Sequence, residues 1–136
     1  MTTFAPEVGA ELAALQIDPI SRTTLGLFAG ASGDHNPIHI DIDVAKSAGL
    51  DDVFAHGMLS MAYLARLLTN IAPQQQLRSY KVRFASITPV HGRPTCTGTV
   101  ASIDEVDGER RATLDLKVAL ADGTVTLLGS AVIALD

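Results

Sequence analysis

The chain has 136 residues, 47% of them hydrophobic but only 4% aromatic, with no tryptophan and a formal charge of −5. That is enough for one domain, residues 1–136, burying an aliphatic core of its own. An acidic balance without a basic patch argues against a general nucleic-acid binder or a ligand of anionic membranes. A single cysteine, Cys96, excludes an internal disulfide and fits a reducing cytoplasm. The stretch Met-Thr-Thr-Phe-Ala-Pro-Glu-Val that opens the chain has neither the basic nor the apolar region of a secretion signal. The longest apolar run, around residues 57–72, carries Arg66 and Asn70 and is too short to span a bilayer. A cytoplasmic location is the expectation.

In chain order, Val8 to Glu11 reads as a turn and Leu12 to Ile20 as a strand. Ser21 is placed to cap a helix running to about Ser32, where Gly33 ends it. Residues 34–41 cannot be regular, because Pro37 keeps Asn36 out of the α region and brings no donor of its own. One or two helical turns fit 41–48. From His56 to about Ile71 the pattern is helical, closed by Pro73. Its apolar positions, Met58, Leu59, Met61, Ala62, Leu64, Ala65, Leu67, Leu68 and Ile71, cover most of the circumference, so it is expected to be buried on most sides. Tyr80 to Phe84 alternates as a strand. Residues 94–103, 110–121 and 124–134 follow as three more, with Asp107-Gly108 and Asp122-Gly123 as hairpin turns. One long buried helix ahead of long antiparallel strands predicts an α+β protein whose sheet curls around that helix.

Two short pieces carry the chemistry. Asp34-His35-Asn36-Pro37-Ile38-His39 places a carboxylate, an amide and an imidazole within six positions. Asp, Asn and Pro also cluster in turns for conformational reasons alone, but a turn has no need of an imidazole that titrates near neutrality. His56-Gly57-Met58 has the form of a helix start, whose free N–H groups can hold negative charge. The same tripeptide also suits simple close packing, with His56 a capping or core histidine. Ligation of a metal by Asp34, His39 and His56 is disfavoured, since compact His/Cys spacing is missing. Lys81, Arg83 and Arg93 are candidates for phosphate contacts, although Lys81 and Arg83 alternate as an ordinary solvated strand face would. His35 and His91 have no evident partner, and Cys96 reads as a small core residue.

The run Phe28 to His39 resembles the hydratase-2 motif of the MaoC-like (R)-specific enoyl-CoA hydratases and 3-hydroxyacyl dehydratases. His56-Gly57-Met58-Leu59 stands where that family begins its central helix, and Tyr80 to Phe84 with Pro89-Val90 resembles the strand that follows. The similarity runs from about Val8 to Leu135. It implies a hot-dog fold, an antiparallel sheet wrapped around a long central helix, working as a homodimer or higher oligomer. It implies Asp34 and His39 as the catalytic pair, on a segment that overhangs the substrate tunnel. Asn36 would be the orienting amide, and the Gly57 N–H the donor to the thioester carbonyl.

The activity so implied is syn addition or removal of water at a trans-2-enoyl thioester of coenzyme A or acyl-carrier protein. It needs no cofactor and no metal. Two other readings compete. A hot-dog thioesterase with a water activated by Asp34 would make poor use of His39. A non-catalytic subunit of a heteromeric dehydratase would have no need to keep both Asp34 and His39.

Overall fold

The computed structural model describes residues 6–135; most of the stretch read above for a secretion signal, and Asp136, lie outside them. Five strands form one antiparallel sheet: β1 (Leu15–Gln16), β2 (Leu77–Phe84), β3 (Thr95–Val106), β4 (Glu109–Ala119) and β5 (Val125–Ala134). Their spatial order is β1-β3-β4-β5-β2. The helices are α1 (Arg22–Ser32), α2 (Ile42–Ser47) and α3 (Gly57–Ile71). The α+β class and the long helix against an antiparallel sheet are as the sequence predicts.

Local chemistry explains most of the boundaries. The Ser21 side chain accepts the Thr24 N–H, and Gly33, at φ 78°, closes α1 with its N–H on the Ala29 carbonyl. Left-handed geometry also places Asp107 (φ 53°) and Gly108 (φ 77°) in the β3–β4 turn, the conformation that a two-residue hairpin demands. The expected strand over Leu12 to Ile20 is mostly not a strand. Only Leu15 and Gln16 pair in register, with Cys96 and Thr95. The segment still follows β3 and the residues just before it, through Leu12 N–H to Gly98, Ile17 N–H to Pro94 and Ile20 N–H to Gly92. Its irregular spacing and the missing donor at Pro19 break the ladder.

The β3–β4–β5 face buries Val100, Ala112, Leu114, Leu116, Val118, Leu127, Ala131 and Ile133 against Leu64, Leu67, Leu68 and Ile71 of α3. Each valine, leucine or isoleucine among them contributes about 1.5–3 kcal/mol when fully buried, so packing rather than intrinsic propensity docks the helix. A second cluster joins Leu59 to Leu25 of α1, Ala45 of α2, and Ile20, Val53, Ala55 and Val90. Helix α3 is therefore covered on two sides, while Met58, Ala62, Arg66, Thr69 and Asn70 form an exposed stripe. No helix among the described residues is long and apolar enough to cross a membrane.

Candidate active site

The loop after α1 is folded by its own polar side chains. Asp34 Oδ1 accepts the Asn36 N–H at 3.2 Å, and Asn36 Oδ1 accepts the Ile38 N–H at 3.1 Å. Asn36 thereby caps a single 3-10 turn, Pro37–His39, with the proline at its start. Asp41 begins α2 immediately afterwards by accepting the Asp43 N–H. The Asp-x-Asn-Pro spacing is thus a turn signal and, at the same time, a means of presenting His39. The two readings are compatible, because the turn consumes only one of the two Asp34 carboxylate oxygens.

The other oxygen, Oδ2, lies 4.0 Å from His39 Nε2, with the aspartate side chain 52% exposed and the imidazole only 10% exposed. His39 Nδ1 sits 2.7 Å from the Phe54 carbonyl oxygen. A carbonyl only accepts, so Nδ1 carries a proton and Nε2 is the nitrogen left facing Asp34. The ring meets Phe54 edge-on, with centroids 4.8 Å apart. Its other neighbour is His56, stacked at 4.0 Å with the planes 29° apart.

Phe54 and its followers are held in turn by the segment before β3. Phe54 forms an isolated bridge with Pro89, and the Ala55 N–H donates to the Thr88 carbonyl at 2.8 Å. His56 precedes α3 but provides no side-chain cap. The first N–H groups of an α-helix have no intrahelical partner, so this end carries unsatisfied donors and the positive end of the helix dipole. Gly57 begins the helix and lines an apolar cleft of about 340 Å³ with Phe54, Ser60, Phe84, Ile87 and Leu127. A Cβ on Gly57 would approach Phe84 Cε1 to 2.9 Å. Neither Asp34 nor His39 belongs to the wall of that cleft. Phe54 does, and its carbonyl anchors the imidazole.

The four residues singled out from the sequence therefore have distinct placements. Asp34 and His39 face each other, Asn36 acts within the loop, and Gly57 lies on the cleft. His56, left open as a capping or core histidine, is a core residue, 1% exposed. Its Nε2 reaches the main-chain oxygen of Asp34 at 3.1 Å. Burial chiefly, with a further contribution from His39, holds its pKa below the ordinary imidazole value, against the opposing pull of the Asp34 carbonyl and charge. Asp34, His39 and His56 offer possible ligand atoms within 4.8 Å of one another. One nitrogen of each ring, His39 Nδ1 and His56 Nε2, is already engaged with a main-chain oxygen. Lys81, Arg83, Arg93, His35 and His91 are exposed. Cys96 is fully buried, which pushes its thiol up to about 11.

A family model described as MaoC like domain matches residues 3–120. The 3-hydroxyacyl-thioester dehydratase Z of Mycobacterium tuberculosis is 30% identical over 106 residues, covering 73% of this chain and 70% of that protein. The (R)-specific enoyl-CoA hydratase of Rhodospirillum rubrum is 30% identical over 114 residues, covering 84% and 78%. Among solved structures, the unliganded R-hydratase PhaJ1 from Pseudomonas aeruginosa has a TM-score of 0.81 at 26% identity, covering 96% of this chain and 83% of its own.

Proposed function

The chain belongs to the MaoC-like dehydratase family and has its hot-dog fold, and from that premise we propose that it is a hydro-lyase acting on acyl thioesters. The specific reading is an (R)-specific enoyl-CoA hydratase, equally a 3-hydroxyacyl-thioester dehydratase in reverse. The observation that carries it is the pairing of Asp34 Oδ2 with His39 Nε2 at 4.0 Å. That distance is too long for a direct hydrogen bond and suits a water shared between the two. A water making bonds of about 2.8 Å to both atoms would see them at roughly a right angle, near its own preferred geometry.

In a trans-2-enoyl thioester the carbonyl draws electrons from the double bond, so C3 accepts a nucleophile and C2 a proton. One member of the pair enters the step protonated. The unprotonated one takes a proton from the shared water as that water attacks C3, and the protonated one delivers its own proton to C2. A proton passing between the two afterwards resets the pair. One C–O and one C–H bond form, one O–H bond of water and the C2–C3 π bond are lost, and no net proton is consumed. Phe54 holds His39 Nδ1–H in either protonation state, so proton traffic at this ring passes through Nε2 alone. Both groups stand on one loop, which favours delivery of H and OH to one face. Acid–base catalysis of this kind contributes about 10²–10⁴-fold.

During the step, charge accumulates on the thioester oxygen. The uncapped start of α3 at Gly57 supplies backbone N–H donors, and one such donor is worth about 3 kcal/mol. The apolar cleft beside Gly57 would take the acyl chain, and the substrate would be a thioester of coenzyme A or acyl-carrier protein. We assign the working form to a homodimer or higher oligomer. The test is direct. Incubated with crotonyl-CoA, the protein should bleach the enoyl-thioester absorbance and yield 3-hydroxybutyryl-CoA of R configuration without releasing free thiol. Thiol release without hydration would replace this reading by thioester hydrolysis.

A further inference from the structure

We infer that His56 is a positioning residue that sets Asp34 against His39. This inference rests on the hydratase reading above and adds a residue to it. His56 Nε2 lies 3.1 Å from the Asp34 main-chain oxygen, and since that oxygen can only accept, Nε2 carries the proton. In the neutral ring Nδ1 is then a bare lone pair, and it is buried with no hydrogen-bond partner among the described residues. An orphaned polar atom in a core costs stability. A phenylalanine would fill the same space and remove that cost, so what an imidazole adds here is the one bond it makes.

That bond holds the main chain of the residue whose carboxylate faces His39. The ring also backs His39 directly, stacked at 4.0 Å, and is itself wedged by the edge of Phe28, with centroids 4.9 Å apart. Phe54, two residues earlier, grips the other partner through His39 Nδ1. A single short segment, 54–57, thus fixes Asp34 through its backbone, His39 through its ring, and the start of α3. Errors in the position of one group are then shared by the others, and their mutual distance is preserved. The groups facing His56 are His39, Asp34 and Phe28, and burial opposes a charge on it. Neutrality suits the role: a protonated His56 would repel a protonated His39 through the stack.

The test compares His56→Phe, which keeps ring and bulk but loses the donor, with His56→Gln, which keeps a donor at the same reach. Wild type and Asp34→Asn are assayed beside them on crotonyl-CoA. A small displacement of a reacting group costs up to about 10²-fold, so His56→Phe should lose about 10- to 100-fold in kcat. Its KM should stay within about threefold, because only the chemical step is disturbed. His56→Gln should recover most of kcat. A folded His56→Phe protein with wild-type kcat, or a His56→Gln protein no better than it, overturns the inference.

A wild type without hydratase activity would instead defeat the hydratase reading. Positioning is then read from amide hydrogen exchange at Asn36 and Ile38, whose N–H groups are held by the loop. Exchange should quicken in His56→Phe and not in His56→Gln, and equal exchange in all three overturns the inference. His56→Leu repeats the test if the phenylalanine variant does not fold. Failure of both to fold makes His56 a structural residue and overturns it as well.

Discussion

Asp34 serves two geometries at once. Oδ1 closes the turn onto the Asn36 N–H, and Oδ2 is left for His39. Replacing Asp34 by Asn removes the carboxylate while an amide oxygen can still hold the turn, so the variant tests chemistry rather than folding. Asp34→Asn and His39→Ala should each lower turnover by at least about 10², with the double variant little worse than either, because groups acting on one water fail as a unit. Steady-state kinetics on the best enoyl-CoA decides it, and near-normal turnover in either single variant refutes the pairing. Asn36→Ala should be milder. Asp34 is held by the Asn36 backbone N–H, which alanine retains, and only the cap on Ile38 is lost. The roles of turn and site at these positions could not be separated from residue order, because both ask for Asp, Asn and Pro at the same spacing.

Helix α3 begins where its side chain must be smallest. Phe84 of β2 stands 2.9 Å from the place a Cβ on Gly57 would occupy. The ring is 52% exposed, so it can swing outward and let a larger residue fold. Gly57→Val should therefore leave a folded protein whose hydratase activity is abolished. The loss should exceed the ~3 kcal/mol of one donor, since the side chain also crowds the cleft mouth beside the helix N–H groups. Thr69→Ser, on the exposed stripe of the same helix, should be silent. Circular dichroism with kinetics separates the outcomes, and a folded, active Gly57→Val protein overturns the proposed donor role of Gly57. The start of α3 was legible from Gly57 and its end from Pro73. The all-round apolar pattern was less faithful: two flanks are covered by the sheet and by α1, while Met58 and Ala62 remain outside. The periodicity of one helix reports how apolar each side is, not which sides find a neighbour.

The sheet ends at β2, whose outer edge pairs with no strand among the described residues. Phe84 at the end of that strand and Ile87 just beyond it are each 52% exposed. An unpaired edge beside large apolar side chains is an association hazard for a monomer. A second copy of the chain covering this region would remove it. Light scattering at micromolar concentration should give a dimer or larger species, and a stable, active monomer would count against the oligomer proposed here. Along the sheet, the long strands were legible as alternating runs between Asp-Gly turns, whereas Leu12 to Ile20 was not, because an irregular edge segment has the composition of a strand without its hydrogen bonds.

What the amino-acid order determined by itself is local. Ser21 and Gly33 bound α1, Asn36 and Pro37 shape the loop, and the Asp107-Gly108 turn sets the β3–β4 hairpin. Each of these is decided within a few residues by capping, φ preference or a missing donor. The resemblance of two motifs then carried the fold. Only the tertiary structure decided which nitrogen of His39 is free, because the carbonyl that accepts the hydrogen bond from its other nitrogen belongs to Phe54, fifteen positions away. It alone brought His56 under His39 and onto the Asp34 backbone, a contact spanning 22 positions. Tautomer, stacking and burial depend on groups delivered by other elements, and no spacing along the chain encodes them.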